Sequence, residues 1–85
     1  MKAIVNIECP IGLDKSQECI DYVLAILHVD KCCCNLTSEH NGSMFWMLDN
    51  VDEETYDSNI QKIYDRFNSL YHSGYIQYFY IGKCN

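Results

Sequence analysis

The stretch KCCCNLTSEHNGSMFWMLD, residues 31–49, decides the fold. Asn41-Gly42 sits between two runs that suit strands, and a type I′ turn needs positive φ at both central positions, which Asn and Gly tolerate. The pair therefore predicts a β-hairpin, with strands over 31–39 and 44–49 around His40-Asn41-Gly42-Ser43. A two-residue loop sets the phase: His40 opposes Ser43, Ser38 opposes Phe45, Leu36 opposes Met47 and Cys34 opposes Asp49, and directly opposed residues share a face. One face then carries Cys32, Cys34, Leu36, Phe45 and Met47. The other carries Cys33, Asn35, Thr37, Met44, Trp46 and Leu48. On this account the three consecutive cysteines are strand period, with Cys32 and Cys34 inward beside Leu36 and Cys33 outward.

Residues 2–9 alternate with period two, Ala3, Val5, Ile7 and Cys9 against Lys2, Ile4, Asn6 and Glu8, which predicts a half-buried strand. Pro10 and Gly12 end it. Asp14 with Gln17 three residues on resembles a capping box, and Cys19, Ile20, Val23, Leu24 and Leu27 recur at helical spacing to about Val29. Beyond the hairpin, Asn50 with Glu53, or Asp52 with Thr55, suits the cap of a second helix. Its apolar stripe is Tyr56, Ile60, Ile63, Tyr64, Phe67, Leu70 and Tyr71. Gly74 closes that helix as its C′ residue, residues 75–81 predict a final aromatic strand, and 82–85 a tail.

The order β-α-β-β-α-β, with right-handed crossovers, predicts one α+β domain over residues 1–85: a four-stranded antiparallel sheet of order 4-1-3-2 with both helices on one face. In element order the whole chain resembles the ferredoxin-like sandwich. That fold hosts many unrelated activities and implies none of them by itself.

With helices on one face, strand phase decides what the other face displays. Cys32, Cys34 and Leu36 suit a core better than Cys33, Asn35, Thr37 and Glu39, and the first strand turns Ala3, Val5, Ile7 and Cys9 inward. In the unbulged register the open face shows Ile4, Asn6, Met44, Trp46 and Leu48, with Ile76, Tyr78 and Tyr80 from the last strand. Such an apolar and aromatic patch marks an interface. A bulge or a longer loop would instead shift the third strand by one and bury Trp46 against the helices. The residues leave both registers open.

Twelve acidic against six basic residues give a net charge of −6, and 48% of the chain is hydrophobic. That balance disfavours a nucleic-acid partner, whose phosphate backbone is held mainly by Lys and Arg, and suits a basic protein partner. No apolar stretch approaches the roughly 18 residues of a membrane helix, and the apolar run near the N-terminus is too short for a signal peptide. The expectation is a cytoplasmic protein without membrane contact, in which the six cysteines are free thiols and the sequons at Asn35 and Asn41 carry no glycan.

Several chemistries fail on spacing. His28, Cys32, Cys33, Cys34 and His40 are residue types that bind zinc, which takes about four converging ligands. In a strand, however, Cys33 points away from its neighbours, and His40 lies about 20 Å beyond Cys34 at 3.3 Å per residue. The heavy-metal-binding branch of ferredoxin-like domains carries CxxC after the first strand; here Cys9-Pro10-Ile11-Gly12 offers one cysteine. Acylphosphatases of the same element order bind phosphate there with an arginine, whereas Arg66 falls within the second helix. Cys9 and Cys84 would lie roughly 25 Å apart at opposite ends of paired strands, beyond the ~7 Å reach of a disulfide. Cys9, close before the first helix, has at most some thiolate character. His28 and His72 suit helix C-termini, and no nucleophile or phosphate-loop motif is present. The expectation is no enzyme, no metal and no cofactor.

The strongest charge feature is Asp49, Asp52, Glu53, Glu54 and Asp57, with no lysine or arginine between Lys31 and Lys62. Acids in a first helical turn stabilise the dipole, but five exceed what capping needs and suit docking on a basic groove. The sequence therefore predicts a small acidic, non-enzymatic protein-binding module, an inhibitor or regulator that occludes its partner, of the kind a phage or mobile element directs at host machinery. Its contacts are Trp46, Tyr78 and Tyr80 on the open face and Asp52, Glu53 and Asp57 on the second helix. Homodimerisation would use the same patch. One rival is a thiol or metal-binding protein built on Cys9 and Cys32 to Cys34. Another is single-stranded nucleic-acid binding by stacking on Trp46 and the tyrosines.

Overall fold

Period-two alternation near the N-terminus produces β1 (Lys2–Glu8), whose Ala3, Val5 and Ile7 are fully buried. The computed structural model describes residues 1–10 and 15–84. After β1 come α1 (Ser16–Leu27), β2 (Cys34–His40), β3 (Ser43–Leu48), α2 (Glu53–His72) and β4 (Tyr78–Cys84), with a 3-10 turn at Lys31–Cys33 ahead of β2. All three strand pairs are antiparallel, in the order β2-β3-β1-β4, which is the predicted 4-1-3-2 read from the other edge. Val5, Trp46, Leu48 and Ile81 from the sheet meet Ile20, Val23 and Leu27 of α1 and Ile63 and Phe67 of α2 in one core.

The hairpin turn forms as its residues require, with φ of 50° at Asn41 and 84° at Gly42. Next to the turn the register is the predicted one, His40 opposite Ser43 and Ser38 opposite Phe45. It then slips at Thr37, so that Leu36 faces Trp46 and Cys34 faces Leu48. A bulge inserts one residue in one strand, and a shift of one turns every following side chain over. Thr37 fills the gap, its hydroxyl donating to the Phe45 carbonyl at 3.1 Å. Trp46 consequently points into the core and is 4% exposed, with Met44 and Leu48 on its side of the sheet. The unbulged placement of Trp46, Met44 and Leu48 on the open face is thereby corrected.

A second correction concerns the cysteines. Lys31–Cys33 is not strand but a 3-10 turn, closed by the Cys33 N–H on the Asp30 carbonyl at 2.9 Å. Strand alternation does not apply there, and Cys32 is exposed while Cys33 and Cys34 are half-buried.

Helix ends follow local chemistry. Asp14 and Gly12 lie outside the described residues; Gln17, the other half of the expected capping box, donates instead to Asp21 at 2.9 Å. At the far end of α1, His28 adopts a left-handed φ of 56°, and the Val29 N–H closes on the Leu24 carbonyl at 3.0 Å. The helix thus stops before Val29, in the manner of a Schellman cap. Asp52 caps α2 by accepting from the Thr55 N–H at 2.9 Å. Gly74 at φ 81° ends it, with the Tyr75 N–H bonded to the Leu70 carbonyl at 3.0 Å. The last strand begins at Tyr78, later than predicted, because the turn after Gly74 runs on until Gln77 bonds the Glu8 carbonyl. Ile76 is left in the core at 1% exposure, which removes it from the open face.

Candidate protein-interaction surface

Register places the side chains of the face turned away from the helices. Ser38, Phe45, Asn6 and Tyr80 make one row across β2, β3, β1 and β4. Asn35, Met47, Ile4 and Gly82 make the next, and His40, Ser43, Glu8 and Tyr78 flank them. Phe45, Met47 and Ile4 are half-buried, while Tyr78 and Tyr80 are 47% and 44% exposed. The Tyr80 ring lies along its own strand over Gly82, where a Cβ would come within 2.8 Å of Cζ. Gly82 therefore leaves the space that lets the ring lie flat. Asn6, only 5% exposed, ties the centre together by donating to Ser43 Oγ at 3.1 Å and the Met44 carbonyl at 2.9 Å.

Of the predicted contacts, Tyr78 and Tyr80 reach this face and Trp46 does not. Phe45 and Met47 take its place, and the signal for them was the bulge alternative, since the same shift that buries Trp46 turns its two neighbours outward.

The acidic residues of α2 lie apart from this face, and most are engaged. The Asp52 carboxylate accepts from both the Thr55 hydroxyl at 2.8 Å and the Thr55 N–H, which hold its carboxyl below the ordinary carboxylate range. Glu53 and Asp57 converge on Lys83 Nζ at 3.0 and 2.8 Å, and these two carboxylates, Asp57 first, hold the lysine above its ordinary value. Asp49 Oδ1 sits 3.7 Å from Lys2 Nζ without a hydrogen bond. Lys83 falls in residues 82–85, which the sequence predicts as tail; in β4 it shares the phase of Phe79 and Ile81, which carries it to the first turn of α2.

Cys9 and Cys19 are buried, and Cys84 pairs with Lys2 at the end of β1 opposite to Cys9. Burial raises the Cys34 thiol above its ordinary value, with Asp21 adding to the effect. Among the described residues no group of three or more His, Cys, Asp or Glu side chains is placed to hold a metal ion. His28, His40 and His72 are all exposed, and the Asn41 amide donates to His40 Nε2 at 3.1 Å. A cavity of about 230 Å³ opens between the helices beside Cys19 and Phe67. The two cations at its mouth rest on tyrosine rings, Lys15 over Tyr75 at 5.6 Å and Arg66 over Tyr22 at 5.8 Å. Its volume falls below the ~300–1,000 Å³ usual for a small-molecule site. No helix among the described residues is long and apolar enough to cross a membrane.

No family model, curated protein or solved structure matches this chain.

Proposed function

We propose that the protein is a non-enzymatic protein-binding module that acts as an inhibitor or regulator by covering part of another protein, and that its contact surface is the sheet face bearing Ile4, Phe45, Met47, Tyr78 and Tyr80. The observation that carries this reading is the apolar and aromatic set Ile4, Phe45, Met47, Tyr78 and Tyr80 that the register gathers on that face around the buried Asn6, bordered by Ser38, His40, Ser43 and Glu8. Aromatic residues and Met are the types enriched at interface centres, and a polar rim that excludes water raises their contribution. The net charge of −6 favours a partner with a basic border around its own apolar patch. Direction at host machinery by a phage or mobile element remains part of this proposal and rests on compactness and composition.

Among the described residues, Lys2 is the one lysine or arginine in the register of this face, and it neighbours Asp49. Stacking of single-stranded nucleic acid on the tyrosines would lack cations to follow the phosphates. Nucleic-acid binding is therefore not the favoured reading.

The test places a photo-crosslinking residue at position 80 and, as a control, at the helix-surface position 68, in protein expressed in its native host. Partners trapped from position 80 alone, and lost in a Phe45→Ser and Tyr80→Ser variant of native circular dichroism, support the surface. Equal trapping from both positions sinks it. Trapping of a second copy of the chain, with a doubled mass in light scattering, would assign the face to a homodimer instead.

A further inference from the structure

We propose that Cys32 and Cys33 form a surface dithiol that chelates a trivalent metalloid carrying one organic group, an organoarsenical being the representative. Their Sγ atoms lie 3.9 Å apart. In a strand, adjacent side chains point to opposite faces; the 3-10 turn is what brings these two sulfurs together, and Cys32 is exposed to solvent. The turn is tied at both ends, by the Cys33 N–H on the Asp30 carbonyl at 2.9 Å and by the Asp49 N–H on the Cys33 carbonyl at 2.8 Å. Asn50, in a left-handed conformation at φ 57°, directs its side-chain amide onto Cys33 Sγ at 3.5 Å.

The ligand class follows from the number of donors. Zinc asks for about four ligands, and among the described residues no third metal-binding side chain joins the pair. Cys34 begins β2 opposite Leu48, in the phase of the helix-covered face, and so turns away. A disulfide fits poorly, because Cα atoms across a trans peptide are about 3.8 Å apart and disulfides usually span about 4.4–6.8 Å. Trivalent arsenic with one organic substituent takes two sulfurs as its remaining bonds, which matches a pair of thiols that is close and not readily oxidised to a disulfide. With phenylarsine oxide, two S–H bonds break and two As–S bonds form. The oxide oxygen leaves as water with both protons, and arsenic stays trivalent.

The test is independent of the protein-binding surface. Reduced, folded protein is treated with one equivalent of phenylarsine oxide, then with excess glutathione, a monothiol that strips arsenic from single cysteines more readily than from a chelate. Native mass spectrometry reads the adduct. Wild type, Cys34→Ala and Cys84→Ser are expected to keep one phenylarsenic per chain, while Cys32→Ser and Cys33→Ser, checked for native circular dichroism, lose it. Loss from wild type, or retention by folded Cys32→Ser or Cys33→Ser, overturns the proposal. Retention by Cys84→Ser with loss from a folded Cys34→Ala would assign the chelate to Cys34 and equally overturn it.

Discussion

The Thr37 hydroxyl donates to the Phe45 carbonyl at 3.1 Å at the point where β2 and β3 lose their one-to-one register. A side chain there does what the ladder N–H does elsewhere. Thr37→Val keeps the branched shape and removes the donor, so it should cost about 1 kcal/mol, the net worth of one such hydrogen bond. Urea unfolding followed by circular dichroism measures it, and an unchanged midpoint would show that the bulge holds without the bond.

That one residue explains why the fold was legible and the surface only half so. Element order, the Asn41-Gly42 turn, the Asp52 cap and the Gly74 stop each rest on neighbours within about four residues, and local pattern reports them directly. The topology followed from the order. Trp46 depends on counting across the hairpin, where one extra residue reverses the answer, and Thr37 carries no bulge signal such as glycine. The Lys83 bridge joins β4 to the first turn of α2, with Lys83 and Glu53 30 positions apart, and the Cys32–Cys33 contact arises from a 3-10 turn where the residue pattern predicts a strand. Tyr78 and Tyr80 were found because alternation within a single strand is local.

Burial of Trp46 makes a prediction opposite to that for a contact residue. Trp46→Ala leaves a cavity between Leu36, Val5 and the helices and should destabilise by about 3–5 kcal/mol, a large share of the stability of a chain this small. As the one tryptophan, it also supplies the emission, which should be blue-shifted and weakly quenched by acrylamide in the native state. A red-shifted, freely quenched native spectrum would return it to the surface.

Asp52 should make stability depend on acid in a defined direction. Its folded carboxyl titrates below the unfolded value, which lies near 3.9. Its contribution is therefore present above that unfolded value and is lost as pH falls through the lower, folded one. Asp52→Ala should lower the melting temperature by about a few degrees at pH 7 and converge with wild type as the solution is acidified. Asp52→Asn retains a capping oxygen and should stay close to wild type at pH 7. Differential scanning calorimetry from pH 7 to pH 3 separates the three. A gap between Asp52→Ala and wild type that persists unchanged to the acid end would mean that the Thr55 bonds do not favour the ionised carboxylate.

Gly82 and Tyr80 offer a way to disturb the proposed surface without disturbing the core. Gly82 has no positive φ to protect, so alanine suits its backbone, and in a strand alanine loses less conformational freedom than glycine. Its new methyl would collide with the Tyr80 ring, whose far end is free to swing because the residue is 44% exposed. Gly82→Ala should thus leave the unfolding midpoint within about 0.5 kcal/mol of wild type while lifting the ring from the sheet. If the flat ring forms part of the contact, partner capture through position 45 should fall several-fold in Gly82→Ala and fall no further in the Gly82→Ala, Tyr80→Ala double variant. Because the two substitutions act on one ring, their effects on binding should be less than additive. Additive losses would show that Gly82 acts on binding by another route, and full retention in both would remove Tyr80 from the surface.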